Sequence, residues 1–227
     1  MTSKAESFDA VADAHDHARW DLPPARFDAA VLAALSRFAG RGGGPALFLG
    51  SGSGREAAAF VRAGRQVVLV DISARMLSLA KARYHDSPLV DYRRQSATEF
   101  LDDADADYPF ISAVGELLGY VRDHAALLTR IRTRLGDSGT CVFTWVDAHR
   151  LAQRGLPAQV CADGTAIFTE RDEPPLRIRG WSQAHMHALL GTAGLDLVEE
   201  IAPEAVSPRR GWTVTPSRTS DGSNPAG

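Results

Sequence analysis

The stretch Ala46–Leu47–Phe48–Leu49–Gly50–Ser51–Gly52–Ser53–Gly54–Arg55–Glu56 decides how this chain is read. An apolar run breaks into glycines at alternate positions, and the alanine-rich segment Ala57–Phe60 follows. The pattern predicts a buried strand, a tight turn and the first turn of a helix. Glycine suits a turn that needs positive φ or that lets a ligand approach bare backbone. A helix start beyond it offers unpaired N–H groups and the positive end of a dipole. Such a cradle fits a polar, partly anionic ligand.

A second apolar run, Val67–Val68–Leu69–Val70, ends in Asp71. An acid about 20 positions beyond a glycine loop, at the tip of the next strand, is placed to accept ribose hydroxyls. The plainer alternative is an ordinary βαβ unit with a structural turn and a capping aspartate. Loop, spacing and acid together favour a nucleotide-like ligand. The spacing here is G-x-G-x-G, which differs from the G-x-G-x-x-G of the dinucleotide fingerprint. The G-K-[ST] of a phosphate-binding P-loop is absent.

On this loop and this acid the chain resembles the class I S-adenosylmethionine-dependent methyltransferases of the small-molecule type, over residues 46 to 215. The resemblance implies an α/β fold: a Rossmann-like, seven-stranded, mostly parallel sheet with helices on both faces and the last strand antiparallel. It implies S-adenosyl-L-methionine as cofactor. Gly50, Ser51, Gly52 and Gly54 then cradle the methionine end, Asp71 holds the ribose, and Ile72 and Met76 border the adenine. Gln95–Ser96–Ala97 falls where the family often has an Asp–Ala pair on the adenine amino group, so Ser96 and Ala97 are assigned there. Ser96 departs from that pattern, and so does Phe48, which replaces an acid often found two residues before the first glycine.

Composition bounds the alternatives. A chain of 227 residues, 44% hydrophobic and 23% charged, is long enough for one globular domain with a real core. A net charge of −3 gives no electrostatic case for nucleic acid or an anionic membrane. Cys141 and Cys161 make neither a disulfide framework nor a metal site, and His185 and His187 do not share a helix face. With no signal-like start and no membrane-spanning run, the expected location is cytoplasmic.

Residues 1–45 read as a helical lead-in or lid, 46–216 as the methyltransferase domain, with a cap insertion at about 147–180, and 217–227 as a disordered tail. Phe8–Asp16 partly resembles the lead-in that folds over the cofactor in many small-molecule methyltransferases, so His15, His17 and Trp20 are candidates for the pocket wall. Two β-like pieces, Thr165–Glu170 and Leu176–Arg179, flank Asp172–Pro175 and read as a hairpin.

The catalytic candidates follow from topology. In open α/β sheets the ligand lies beyond the carboxyl ends of the strands, where strand order reverses. The first strand and the fourth, Phe110–Val114, flank that point, which puts Val114, Gly115 and the turn to Tyr120 beside the sulfonium. Glu116 is the first candidate to orient an acceptor or take its proton, Tyr120 the second. A plain helix-start acid is the competing reading for Glu116. Asp147 and His149, at the end of the fifth strand, are further substrate-side candidates. Motifs of base-modifying methyltransferases are missing. The expected activity is transfer of a methyl group to an O or N atom of a small-molecule acceptor, by a monomer or homodimer, without nucleic acid, membrane or metal. The alternatives are a cofactor-binding protein that transfers nothing and an NAD-dependent oxidoreductase.

Overall fold

The computed structural model describes residues 3–21, 25–153, 158–161, 165–171, 176–202 and 207–217. Its centre is the predicted strand. β1 (Ala46–Leu49) pairs in parallel with β2 (Val67–Asp71) on one side and β4 (Phe110–Ala113) on the other. β3 (Val90–Arg94) adds beyond β2, and β5 (Thr140–Asp147) beyond β4. Strand order therefore reverses between β1 and β4, and the crevice opens there.

β1 is buried on both faces, which is why it reads as a continuous apolar run rather than an alternating one. Leu47 and Leu49 pack into one layer with α6 (Ala97–Asp103), α8 (His124–Arg134) and α10 (Gln183–Ala193). Ala46 and Phe48 pack into the other with α3 (Arg26–Ser36), α4 (Ala58–Arg62) and α5 (Ala74–Tyr84). Phe48, 2% exposed, meets Phe60 edge-to-face at 5.1 Å between ring centres and lies 6.2 Å from Phe110. The departure at this position is thus a core aromatic.

The far end of the sheet completes the expected class and adds to it. β10 (Arg209–Pro216) runs antiparallel between β5 and β9 (Leu195–Ile201). Seven strands were expected, and among the described residues the sheet has ten. The extra three come from the insertion after β5. β8 (Leu176–Trp181) meets only the last two residues of β5, Val146 and Asp147. It pairs antiparallel with β7 (Ala166–Arg171), which pairs with β6 (Ala158–Val160). The hairpin's apolar face, with Phe168 and Ile178, forms its own small cluster with Val146 and Leu151. The turn at Asp172–Pro175 lies outside the described residues. So does the tail beyond Ser217, whose N–H bonds the Gly194 carbonyl at 2.9 Å.

Before β1 the chain forms α1 (Lys4–Asp9), α2 (Ala12–Trp20) and α3. Ser3 starts α1 with a capping box to Glu6. The hinge from α3 into β1 is held by Arg65, whose guanidinium donates to the carbonyls of Phe38, Arg41 and Gly44 at 2.9 to 3.1 Å.

Candidate functional site

A cavity of about 930 Å³ opens at the strand-order reversal. Its floor is the glycine turn between β1 and α4, and a short 3-10 turn, Arg55–Ala57, stands where the first turn of a helix was expected after the glycines. The turn is tied to the neighbouring strand twice. Ser51 N–H donates to the Val70 carbonyl at 3.0 Å, and Gly52 N–H donates to Asp71 Oδ2 at 2.8 Å. The other oxygen, Oδ1, accepts from Ser73 N–H at 2.9 Å, and Ser73 caps α5. One carboxylate therefore sets both the loop and the next helix start. Burial pushes the Asp71 pKa above its ordinary value, against the N–H bonds from Ser73 and Gly52, which pull it down.

The cavity brings together most of the residues singled out from the sequence: Gly50, Ser51, Gly52, Asp71, Ile72, Met76, Ser96, Ala97, Val114, Gly115, Glu116 and Tyr120 all line it. Gly54 and His149 lie elsewhere, and Ser96 has a second engagement. Gly54 is buried beneath the loop, against Tyr84 and Leu69, and does not line the cavity. Ser96 lines it, but its hydroxyl is engaged as the cap of α6, 2.7 Å from Glu99 Oε2. His149 lies outside it. α9 (Ala148–Ala152) begins directly after β5 and carries His149 to the surface, where Nε2 lies 3.0 Å from Gln153 Nε2. Asp147, 4% exposed, caps that helix and binds Arg210 at 2.8 Å, so its carboxylate is engaged away from the cavity.

Helices α1 and α2 form the roof, through Lys4, Phe8, Val11, Ala14, His15 and Ala18. His17 is exposed and pairs with Asp21 at 3.0 Å, and the Trp20 side chain lies outside the described residues. The roof is fastened at both ends. Phe8 packs edge-to-face on Tyr120 at 5.3 Å, and Lys4 Nζ donates to the Tyr120 carbonyl. On the opposite side Asp9 Oδ1 accepts from Ser73 Oγ at 2.5 Å and from Arg75 N–H at 3.0 Å, bonds that hold its pKa down. Asp13 pairs with Arg75, and Asp16 with Arg83 at 2.8 Å. These pairs are partly exposed, so salt screens them. Raising ionic strength to about 1 M, where the screening length falls to about 3 Å, is expected to speed amide hydrogen exchange in α1 and α2 while β1 and β4 stay protected. Unchanged exchange in the two helices would show that apolar packing alone holds the roof.

At the end of the cavity beneath β4 the chain does something costly. Gly115 and Glu116 take consecutive left-handed conformations, with φ of 75° and 60°. A side chain in that region costs about 1–2 kcal/mol, and glycine would occupy it freely. Glu116 is only 12% exposed and leads into α7 (Leu117–Tyr120). Its N–H donates to Thr144 Oγ1 at 3.0 Å, and the same hydroxyl donates to Glu116 Oε1 at 3.2 Å. Arg209 Nη1 lies 3.9 Å from Oε1 and 3.0 Å from Asp28. Arg55, 9% exposed, pairs with Glu56 at 3.2 Å on the same cavity wall. Asp28, Thr144, Arg55 and Arg209 were not singled out from the sequence.

Residues 47–143 match the sequence profile of the family described as Methyltransferase domain. This segment holds the glycine turn, Asp71 and Glu116, and the match marks it as an S-adenosylmethionine-dependent methyltransferase domain. No curated protein sequence matches it. Among solved structures it resembles the CcbJ methyltransferase from Streptomyces caelestis, with a TM-score of 0.72 and 20% identity over 96% of this chain and 100% of that one. It also resembles the N-methyltransferase NodS from Bradyrhizobium japonicum WM9 in complex with S-adenosylhomocysteine, with a TM-score of 0.67 and 14% identity over 94% and 98% of the two chains. A third is the 1,6-didemethyltoxoflavin-N1-methyltransferase from Burkholderia thailandensis, at 0.63 and 18% over 96% and 92%. At such identities the likeness establishes the fold.

The cavity fits the cofactor, S-adenosylmethionine. Ser51 Oγ is buried at the loop with no hydrogen-bond partner among the described residues. Gly52 presents bare backbone, where a Cβ would point between Met76 Sδ at 3.9 Å and His15 Cε1 at 4.0 Å. An acid, an unsatisfied hydroxyl and exposed backbone on one floor match a ligand with ribose hydroxyls and an amino-acid tail.

Proposed function

We propose that this enzyme methylates an O or N atom of a small-molecule acceptor, with Glu116 as the group that orients the acceptor and takes its proton. The observation that carries the reading is the left-handed Glu116 on the cavity wall, where glycine would cost nothing. When bound, the cofactor would supply an electrophilic methyl carbon, whose bond to the positive sulfur would break toward sulfur as an acceptor lone pair forms the new bond. The chain supplies the rest. Gly50–Gly52, Asp71, Ile72 and Met76 hold the cofactor. The roof, with Phe8, Val11 and Tyr120, excludes water and presses the acceptor against the reacting end. The Glu116 carboxylate accepts the proton that the acceptor loses. A roofed cavity of about 930 Å³ suits a small molecule better than a polymer. The neighbour with bound 1,6-didemethyltoxoflavin agrees with that scale of substrate.

The test is transfer of labelled methyl from S-adenosylmethionine to a panel of amine- and hydroxyl-bearing small molecules, for wild type and Glu116→Gln. Label is expected in the small-molecule fraction, reduced about 100-fold or more in the variant. Label recovered only on protein or nucleic acid would overturn the acceptor class. Cofactor binding with no transfer to any acceptor would favour a binding protein.

A further inference from the structure

Thr144 lies on β5, 1% exposed, between Phe143 and Trp145, which are both fully buried. A buried strand position of this kind suits valine, and a hydroxyl there is costly unless it is hydrogen-bonded. Both of its bonds go to one residue. Oγ1 accepts the Glu116 N–H at 3.0 Å and donates its own hydrogen to Glu116 Oε1 at 3.2 Å. The first bond holds the backbone of a residue whose φ is 60°, and the second holds its carboxylate. Such outlying conformations persist only where the surroundings over-determine them. Arg209 approaches the same oxygen, Oε1, at 3.9 Å from the other strand beside β5. Thr144 itself does not line the cavity.

We infer that Thr144 is a positioning residue: its single hydroxyl clamps the backbone and carboxylate of Glu116 so that the charge faces the reacting end of the cofactor. The inference rests on the reading of Glu116 given above. Glu116 without the clamp keeps its charge but not a fixed direction, so the defect is one of aim.

The experiment needs no acceptor. Sinefungin carries an amine in place of the transferable methyl group, whereas S-adenosylhomocysteine carries nothing there. Calorimetric affinities for the two, taken as a ratio within each variant, report how well a carboxylate meets a cation at that point. Wild type is expected to prefer sinefungin, and Glu116→Gln to lose that preference. Thr144→Val, which removes the hydroxyl at constant shape, is expected to cut the ratio about tenfold, and Thr144→Ser to keep it. Thr144→Ala carries the same expectation as valine if the valine protein does not fold. A Glu116→Gln protein with the wild-type ratio removes the Glu116 reading and this inference together. A lost ratio in Glu116→Gln beside a retained one in Thr144→Val overturns the role of Thr144 alone. Equal loss in valine and serine assigns the effect to packing and also overturns it.

Discussion

Asp71→Asn is expected to weaken S-adenosylmethionine binding by about two orders of magnitude, because hydrogen bonds to a charged group are worth about 1.5–3 kcal/mol each. The proposed role of Asp71 is to accept from the ribose, and its two oxygens already accept from Gly52 and Ser73. Asparagine presents N–H to one of those donors, so the variant loses charge and also loosens the loop. The pH dependence has a definite sign. Burial holds the Asp71 pKa above its ordinary 3.8, so the free site takes up a proton before an exposed aspartate does. A proton there removes an acceptor. Affinity should therefore weaken as pH falls toward 4, starting above the ordinary aspartate range, and the Asn variant should stay flat over that interval. The same shift acts on stability in the opposite sense. The folded state binds this proton more tightly than the unfolded one. The contribution of Asp71 to stability is thus full below pH 3.8 and declines as pH rises through the raised folded value. Calorimetry across the pH series on both proteins is the measurement. Equal titration in wild type and Asn variant would assign the dependence to another group.

Asp71 was legible because its place depends on chain order alone: an apolar run, a glycine turn, a second run, an acid. The same holds for β1 and for the Glu116 turn at the reversal of strand order. Legibility fails where the answer depends on what lies across the sheet. His149 follows β5 by two residues, as Glu116 follows β4 by three. The difference is that α9 starts at once after β5, capped by Asp147, and turns the histidine outward. Nothing in the spacing of Asp147 and His149 distinguishes a cap from a catalytic pair. Arg209 is the instructive omission. An antiparallel last strand must begin at the end of the sheet where the parallel strands finish, so its first residues face the site. The expected topology therefore already placed an arginine there. Its pairing with Asp28 and its distance to Glu116 needed the position of α3, which no local pattern gives. The three additional strands were half visible. The hairpin pieces read as β-like, but their attachment to the end of β5 involves only Val146 and Asp147, too short a contact to announce itself in sequence.

Two glycines of the loop should separate stability from binding. Gly54 sits at φ 82° under the loop, and a Cβ there would stand 2.9 Å from Tyr84 Cε2 and 3.1 Å from Leu69 Cδ1. Its carbonyl also accepts the Tyr84 hydroxyl. Gly54→Ala therefore combines left-handed strain of about 1–2 kcal/mol with overpacking of about 1–3 kcal/mol. For a domain of this length that lowers Tm by roughly 5–15 °C. Gly52 has φ 52°, but a Cβ on it meets nothing nearer than Met76 Sδ at 3.9 Å. Gly52→Ala thus carries the strain alone and costs only a few degrees. Its methyl group instead occupies the space between loop and roof that the cofactor needs, so binding should fall about tenfold or more. Thermal melts and calorimetry on the two variants decide between the roles. A Gly54→Ala protein that melts like wild type but binds no cofactor would return Gly54 to the binding surface and shift the cavity floor deeper than the structure has it. A Gly52→Ala protein that binds normally would mean that the cofactor's polar end lies away from the bare backbone, along Ser51 and the Arg55–Glu56 wall.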